Sequence, residues 1–273
     1  MGAIHVGPAR CPSRESPENA IELLVGRGYT ACELDLERGF WLDYPWAERL
    51  GDLAREQGIA LSVHAPLFAF PGHPDGKKSK MALGALDRTA GIAAAAGAEV
   101  IVIHPGFWLG RTPEQTIEDV VASLGTLREK LESKDRAVPF GVEVMGRVSE
   151  LGSIDHVLEI ASRVDWVRPV IDFAHMHATS DGAFTDVDGF AAVLEGADDV
   201  LGTGEPFHIH FSDIAYANRN ETKHLPYGDG TLRAEPLRAA LDRFDRPATV
   251  ISESPDETST QAIRAVLYAG VGA

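Results

Sequence analysis

The sequence predicts a (β/α)8 barrel that is formed by the whole chain, residues 1–273, as one domain. Eight short apolar runs each precede a segment of helical periodicity, and this alternation is typical of βαβ units and a parallel sheet. The length of 273 residues fits a barrel of about 250 residues. A doubly wound open sheet is the alternative, but the first run leads into Gly7-Pro8-Ala9-Arg10, which is not a Gly-rich phosphate loop.

The eight apolar runs are the predicted strands. In chain order they span residues 3–6, 31–36, 60–63, 100–103, 140–144, 167–171, 207–211 and 249–252.

Eight predicted helices follow these strands, and several begin with capping signals. Ser16 precedes Pro17 at the start of the first helix, and Thr112-Pro113-Glu114-Gln115 forms a capping box at the start of the fourth. The predicted helices span roughly residues 16–28, 45–57, 78–96, 112 to beyond 127, 153–164, 186–194, 234–244 and 257–269.

The composition excludes several classes of protein. Asp and Glu number 41 against 25 Lys and Arg, so the net charge of −16 argues against a broad basic surface that coats nucleic acid. Two cysteines cannot form a disulfide framework, which favours a reducing compartment. No apolar run approaches the ~20 residues of a membrane span, and the N-terminus lacks a signal peptide pattern. We expect a cytoplasmic monomer with no membrane partner.

Acidic and imidazole side chains close every predicted strand from the third to the eighth. Active sites of such barrels lie at the C-terminal strand ends, so these side chains are expected at one mouth. They are His64, His104, Glu143, Asp172 with His175, His210 with Asp213, and Glu253, and His224 lies in the loop after the seventh strand. Crowded carboxylates are costly unless cations neutralise them, and mixed imidazole and carboxylate ligands favour Zn²⁺, Mn²⁺ or Fe²⁺.

The order of these motifs resembles endonuclease IV, a family of metal-dependent endonucleases that act at apurinic or apyrimidinic sites. The motifs are VHAP at 63–66, IHPG at 103–106, the strand residue Glu143, DxxH at 172–175, HxxD at 210–213, His224 before a GxG, and ESP at 253–255. The resemblance extends over residues 3–255. This family belongs to a larger group of barrels that includes xylose isomerase and the sugar-phosphate epimerases.

The resemblance implies two or three zinc ions per chain, with manganese as the alternative metal. The implied ligands are His64, His104 and Glu143 for the first ion, Glu143, Asp172, His210 and Glu253 for the second, and His175 and His224 for the third. The implied reaction is in-line attack on the phosphate 5′ to an abasic deoxyribose in duplex DNA, with Glu143 and Glu253 as the catalytic residues. Asp213 is expected to contact a metal-binding side chain and to fix its orientation.

The sequence departs from the family pattern at the third metal. The family has an Asp two residues before its loop His, and Thr222 stands there in this chain. Glu221, a water molecule or an empty third site are the alternatives. The family also has an aromatic residue shortly after the third-strand His, where this chain has Leu67 and then Phe68. The expected DNA contacts are Arg38, Phe68, Trp108 and Arg111.

Two other functions fit part of the pattern. A sugar or sugar-phosphate isomerase or epimerase would need only one Mn²⁺ or Mg²⁺, held by Glu143, Asp172, His210 and Glu253. A non-catalytic barrel is disfavoured by the complete ligand set. The additional histidines favour the nuclease. The sequence leaves open whether Glu33 and Asp35 face the barrel interior, and it predicts that His208 lies deeper than His210 on the same side.

Overall fold

Apolar runs form the strands of a nearly closed parallel barrel in the computed structural model, which describes residues 2–269. The strands are β1 Ile4–Pro8, β2 Ala31–Asp35, β3 Ala60–His64, β4 Ile101–Ile103, β5 Phe140–Glu143, β6 Val167–Asp172, β7 Phe207–Phe211, β8 Asp213–Ala217, β9 Asn220–Leu225 and β10 Ala248–Ser252. Eight of them form one sheet in the order β1-β10-β7-β6-β5-β4-β3-β2, and β8 and β9 form a separate hairpin. The predicted fold class is confirmed, and each predicted run becomes a barrel strand within two residues at either end.

The barrel closes where β1 approaches β2. The backbone N–H of Thr30 donates to the carbonyl of Val6 at 3.0 Å. A Cβ atom at Gly7 would lie 1.7 Å from the carbonyl oxygen of Ala31. Gly7 therefore permits a strand approach that no other residue type would allow.

The helices surround the sheet and bury one face each. They are α1 Pro17–Gly26, α2 Tyr44–Gln57, α3 Gly76–Ala96, α4 Pro113–Glu132, α5 Ile154–Arg163, α6 Phe173–Thr179, α7 Val187–Val200, α8 Ala234–Leu241 and α9 Glu257–Tyr268. Ser16 caps α1 and Thr112 forms the predicted capping box of α4. The sequence did not predict α6, a short helix whose first turn is capped by the side chain of Asp172.

Apolar side chains fill the space between the strands and the helices. Phe140, Phe173, Phe190, Phe207 and Phe211 are among the largest fully buried side chains. Buried polar side chains, in contrast, gather toward the C-terminal ends of the barrel strands. Within residues 2–269, no helix combines the length and the apolar character that a membrane crossing requires.

Candidate metal centre

Six barrel strands deliver a carboxylate or an imidazole to one mouth. His64 and Glu143 are the last residues of β3 and β5, and Asp172 is the last residue of β6. His210 lies in β7 beside Asp172, while His104 and Glu253 follow β4 and β10. The eight predicted ligands all lie in this mouth, because the C-terminal ends of parallel strands meet at one rim.

The ligand atoms group into three overlapping clusters, each with its members within 4.8 Å of one another. The clusters are His64, His104 and Glu143; Glu143, Asp172, His210 and Glu253; and His175, His224 and Glu253. Glu143 joins the first two, since its Oε2 lies 3.1 Å from His104 Nε2 and its Oε1 lies 2.9 Å from His210 Nδ1. This grouping follows the ligand sets that the resemblance implied and adds Glu253 to the third.

Four of the five histidines have one ring nitrogen occupied by a protein group. The contacts join His64 Nδ1 to the Ala65 carbonyl at 2.9 Å, His175 Nδ1 to the Val144 carbonyl at 2.8 Å, His210 Nε2 to Glu33 Oε1 at 3.2 Å, and His224 Nδ1 to Ser212 Oγ at 2.6 Å. The opposite nitrogens point toward carboxylates of the mouth. Histidines that bind metals are commonly held in this way.

Two carboxylate oxygens of the mouth are buried without a hydrogen bond. Glu143 Oε2 and Asp172 Oδ2 accept none of good geometry, although imidazole nitrogens lie 3.1 to 3.4 Å away. Unsatisfied buried oxygens are costly, and lone pairs that face one another are stabilised by a cation between them. The residues present therefore fit divalent metals that accept nitrogen and oxygen ligands.

The electrostatics of the mouth also reflect crowded acids. Burial raises the pKa of Glu253 to about 7, helped by Asp172 and Glu143 and opposed by His210 and His224. Burial disfavours the ionised Glu143, yet His210 and His104 hold its pKa well below the usual range. Burial also opposes a charged His210, but Glu33 and Glu253 raise its pKa well above the usual value. Metal binding at such a cluster would displace protons.

A bulged hairpin completes the third cluster. Glu221 and His224 are three positions apart on β9, so a regular strand would point them to opposite faces. The register of β9 against β8 shifts between Ala215 and Tyr216, and Thr222 is the extra residue. Glu221 Oε2 consequently lies 2.9 Å from His175 Nε2, whereas the Thr222 hydroxyl donates to the Ala215 carbonyl. Of the alternatives left open by the sequence, Glu221 is the side chain that reaches the cluster.

The expectation that Asp213 orients a ligand is wrong. Asp213 is fully buried, but its carboxylate stabilises the loop after β9 instead. It accepts hydrogen bonds from the backbone of Ile214, Gly228, Gly230 and Leu232 and from Arg233 Nη1. Its neighbour Ser212, which the sequence did not single out, is the residue that contacts His224.

Two of the expected DNA contacts are used within the protein. Arg111 donates to the carbonyls of Gly72, Phe107 and Trp108 and pairs with Asp119, so its guanidinium is not available to DNA. Trp108 donates to the Val148 carbonyl at 3.4 Å and packs edge-on against His156. The expectation for Arg111 is corrected for this reason, whereas Trp108 stays partly exposed and its expected contact with DNA stays a prediction.

Exposed side chains do surround the mouth. Arg38 is exposed after β2, and Phe68 is exposed after β3, as their expected roles require. Phe107 is 40% exposed, so its ring is more accessible than the partly buried ring of Trp108 in the same loop after β4. Arg147 reaches the rim and lies 3.4 Å from Glu221. A cavity lined by Leu67, Phe107, Arg147 and several of the predicted ligands has a volume of about 310 Å³.

Glu33 is the buried residue of the site that sequence reasoning did not assign. Its carboxylate is fully buried and contacts Ser62, His208 and His210. The sequence pattern that could have identified Glu33 is its alternation with Cys32 and Leu34 along β2. Alternation alone does not show which face of the strand points into the barrel.

The sequence matches a family model described as a xylose isomerase-like TIM barrel over residues 21–269. An uncharacterized protein of Methanocaldococcus jannaschii is 30% identical over 252 residues, which cover 91% of each chain. Two proteins described as "Probable endonuclease 4" also match. That of Geobacillus sp. is 29% identical over 58% of this chain and 53% of its own length. That of Mycoplasma pneumoniae is 22% identical over 87% of this chain and 82% of its own length.

Solved structures show the same fold. A D-tagatose 3-epimerase-like protein superposes with a TM-score of 0.74 at 18% identity and 94% coverage of both chains. Endonuclease IV from Thermus thermophilus superposes with a TM-score of 0.72 at 17% identity and 99% coverage of both chains.

Proposed function

This chain belongs to the xylose isomerase-like TIM barrel family, and we propose that it is a metal-dependent phosphodiesterase that cleaves DNA 5′ to abasic sites. The proposal includes two or three zinc ions as cofactors, with manganese as the alternative. Duplex DNA with an abasic site is the proposed substrate, and base-excision repair is the proposed role.

The third cluster is the observation that carries the proposal. An isomerase with one metal would need only Glu143, Asp172, His210 and Glu253. His175 and His224, together with Glu221 on the bulged hairpin, have no part in such a site. Several adjacent metals suit a phosphodiester, because they neutralise the charge on both the attacking and the leaving oxygen.

Each group in the mouth has a task in this reaction. When bound, the metals would supply Lewis acidity toward the phosphate and lower the pKa of a water molecule. Glu143 belongs to two clusters and would therefore be a ligand of two metals. Glu253, which lies 3.4 Å from His210 Nδ1 and 3.6 Å from His224 Nε2, would accept a proton from the attacking water. The exposed rings of Phe68 and Phe107 would exclude water beside the abasic sugar.

A sugar or sugar-phosphate epimerase is the second candidate. The cluster of Glu143, Asp172, His210 and Glu253 is complete without the other histidines. In this alternative one metal would polarise a ketose carbonyl, and Glu143 and Glu253 would move the proton. A cavity of about 310 Å³ is large enough for a monosaccharide.

Cleavage of a defined lesion tests the proposal. A labelled duplex with one tetrahydrofuran abasic analogue is incubated with zinc-loaded protein, and we expect one nick 5′ to the analogue. Glu143→Gln should reduce the rate by at least about 10²-fold, since it removes a charged ligand shared by two clusters. Thr222→Ala, next to Glu221 but directed away from the cluster, is the matched control and should retain activity.

Two outcomes would contradict the proposal. One is an intact duplex after incubation with protein that carries metal at every cluster. The other is a single metal per chain, measured by elemental analysis, together with epimerisation of a ketose. The second result would support the alternative function.

A further inference from the structure

Glu33 extends from β2 into the barrel interior and meets β7 beneath the metal centre. Its Oε1 lies 3.2 Å from His210 Nε2, and its Oε2 lies 3.4 Å from His208 Nε2. The hydroxyl of Ser62, its register partner on β3, donates to Oε2 at 2.7 Å. Glu33, His208 and His210 are all buried, and Ser62 is buried with them.

Burial at this position is energetically unfavourable for an ionised carboxylate. Barrel interiors are normally filled by branched apolar side chains, and a buried ion has a desolvation cost of several kcal/mol. Ser62 and His208 both contact Oε2, and His210 Nε2 reaches the same oxygen at 3.3 Å. Oε1 lies 3.2 Å from His210 Nε2 but accepts no hydrogen bond of good geometry.

The two nitrogens of His210 have opposite surroundings. Nε2 faces Glu33, while Nδ1 lies 2.9 Å from Glu143 Oε1 and 3.4 Å from Glu253 Oε1. A proton on Nε2 would be donated to Glu33, and the lone pair of Nδ1 would then face the metal cluster. A carboxylate behind a metal-bound imidazole also raises the basicity of the ligand.

We infer that Glu33 is a positioning residue that fixes the tautomer and ring orientation of His210 for metal binding. The inference rests on the metal centre of the proposed function, but not on DNA as the substrate. His208 and Ser62 act through Glu33, because both contact its Oε2 rather than the metal cluster.

A different use of the same residues is an additional metal site. Glu33, His208 and His210 have ligand atoms within 4.8 Å of one another. Their present contacts to Glu33 Oε2, 3.3 Å from His210 and 3.4 Å from His208, already form a hydrogen-bond network that includes Ser62, which favours positioning over ligation. The experiment separates the two uses by counting metals.

The test measures metal binding in Glu33→Ala and in the isosteric Glu33→Gln. Zinc affinity is measured by competition with a chromophoric chelator, metal content by elemental analysis, and the His210 tautomer by long-range ¹H–¹⁵N NMR. We expect Glu33→Ala to weaken zinc binding about 10- to 100-fold with the metal count at saturation unchanged. Glu33→Gln retains an acceptor oxygen and should lose less, and it serves if the alanine variant does not fold.

The matched control is Asp35→Asn, an acid two positions along the same strand. Asp35 pairs with Arg14 at 2.9 Å, so its loss should leave zinc affinity and the His210 tautomer unchanged. Wild-type affinity and tautomer in both Glu33 variants would overturn the inference. So would the loss of one whole metal with the others bound normally, since Glu33 would then be a ligand. A wild-type protein that binds no metal here would instead contradict the proposed metal centre.

Discussion

Removal of the Glu221 carboxylate should reduce how much zinc stabilises the protein. Glu221 Oε2 lies 2.9 Å from His175 Nε2, and we propose it as the metal ligand that replaces the family's Asp at the third cluster. In Glu221→Ala that cluster keeps His175, His224 and Glu253 but loses one charged group. We therefore expect weaker binding of one metal and little change at the other two.

The magnitude follows from linkage and from the length of the chain. A site filled at about 1,000 times its Kd adds about 4 kcal/mol to the free energy of unfolding. With 273 residues, the unfolding entropy is about 0.6 kcal/mol/K, so each filled site raises Tm by about 7 °C. A loss of 10- to 100-fold in affinity at one site removes about 2 to 5 °C of that increase.

The assay is thermal unfolding followed by circular dichroism, with and without zinc, for wild type, Glu221→Ala and Thr222→Ala. The quantity compared is the difference in Tm between the metal-loaded and the metal-free form of each variant. Thr222→Ala should match wild type, because its hydroxyl donates to the Ala215 carbonyl and not toward the cluster. An equal zinc-induced increase in wild type and in Glu221→Ala would refute the assignment of Glu221 as a ligand.

Two further predictions concern the scaffold. Gly7→Ala should lower the free energy of unfolding by about 3 kcal/mol or prevent folding, because the new Cβ would lie 1.7 Å from the Ala31 carbonyl oxygen; urea denaturation measures this. Asp87 contacts Lys130, Lys134 and Arg136, and although burial opposes its ionisation, these cations lower its pKa to about 2. Because the pKa is depressed in the folded state, the stability that Asp87 contributes is present above about pH 4 and is lost as pH falls toward 2. Urea denaturation should therefore show Asp87→Asn to be less stable than wild type at pH 7, with a difference that shrinks by pH 3, and a difference independent of pH would contradict the ion-pair explanation.

The strands and most helices could be predicted because their signals are local. An apolar run defines each barrel strand, in most cases with Gly or Pro beside it, and the caps at Ser16 and Thr112 define helix starts within a few residues. The predicted ligands share a mouth for a topological reason, since parallel strands place their C-terminal ends on one side. Neither inference required knowledge of contacts between distant residues.

The remaining features depend on contacts that a local pattern does not contain. In the hairpin of β8 and β9, strand β9 carries polar residues on both faces, so no apolar alternation predicts it. Because of the bulge at Thr222, the side chain of Glu221 faces His175. Asp213 looks like part of an HxxD motif, yet the chain returns to it 15 residues later at Gly228 and saturates its oxygens with backbone donors.

Part of the net charge of −16 comes from carboxylates of the candidate metal centre. Carboxylates gather in or beneath one mouth, among them those of Glu33, Glu143, Asp172, Glu221 and Glu253. Without metals this mouth would repel a phosphodiester, whereas two or three divalent cations would add about +4 to +6 and offset the charge of these carboxylates. In the proposed function, the acidity that argues against a broad DNA-binding surface would make phosphate binding conditional on metal loading. Arg38 and Arg147 at the rim would then assist a contact that the metal centre dominates.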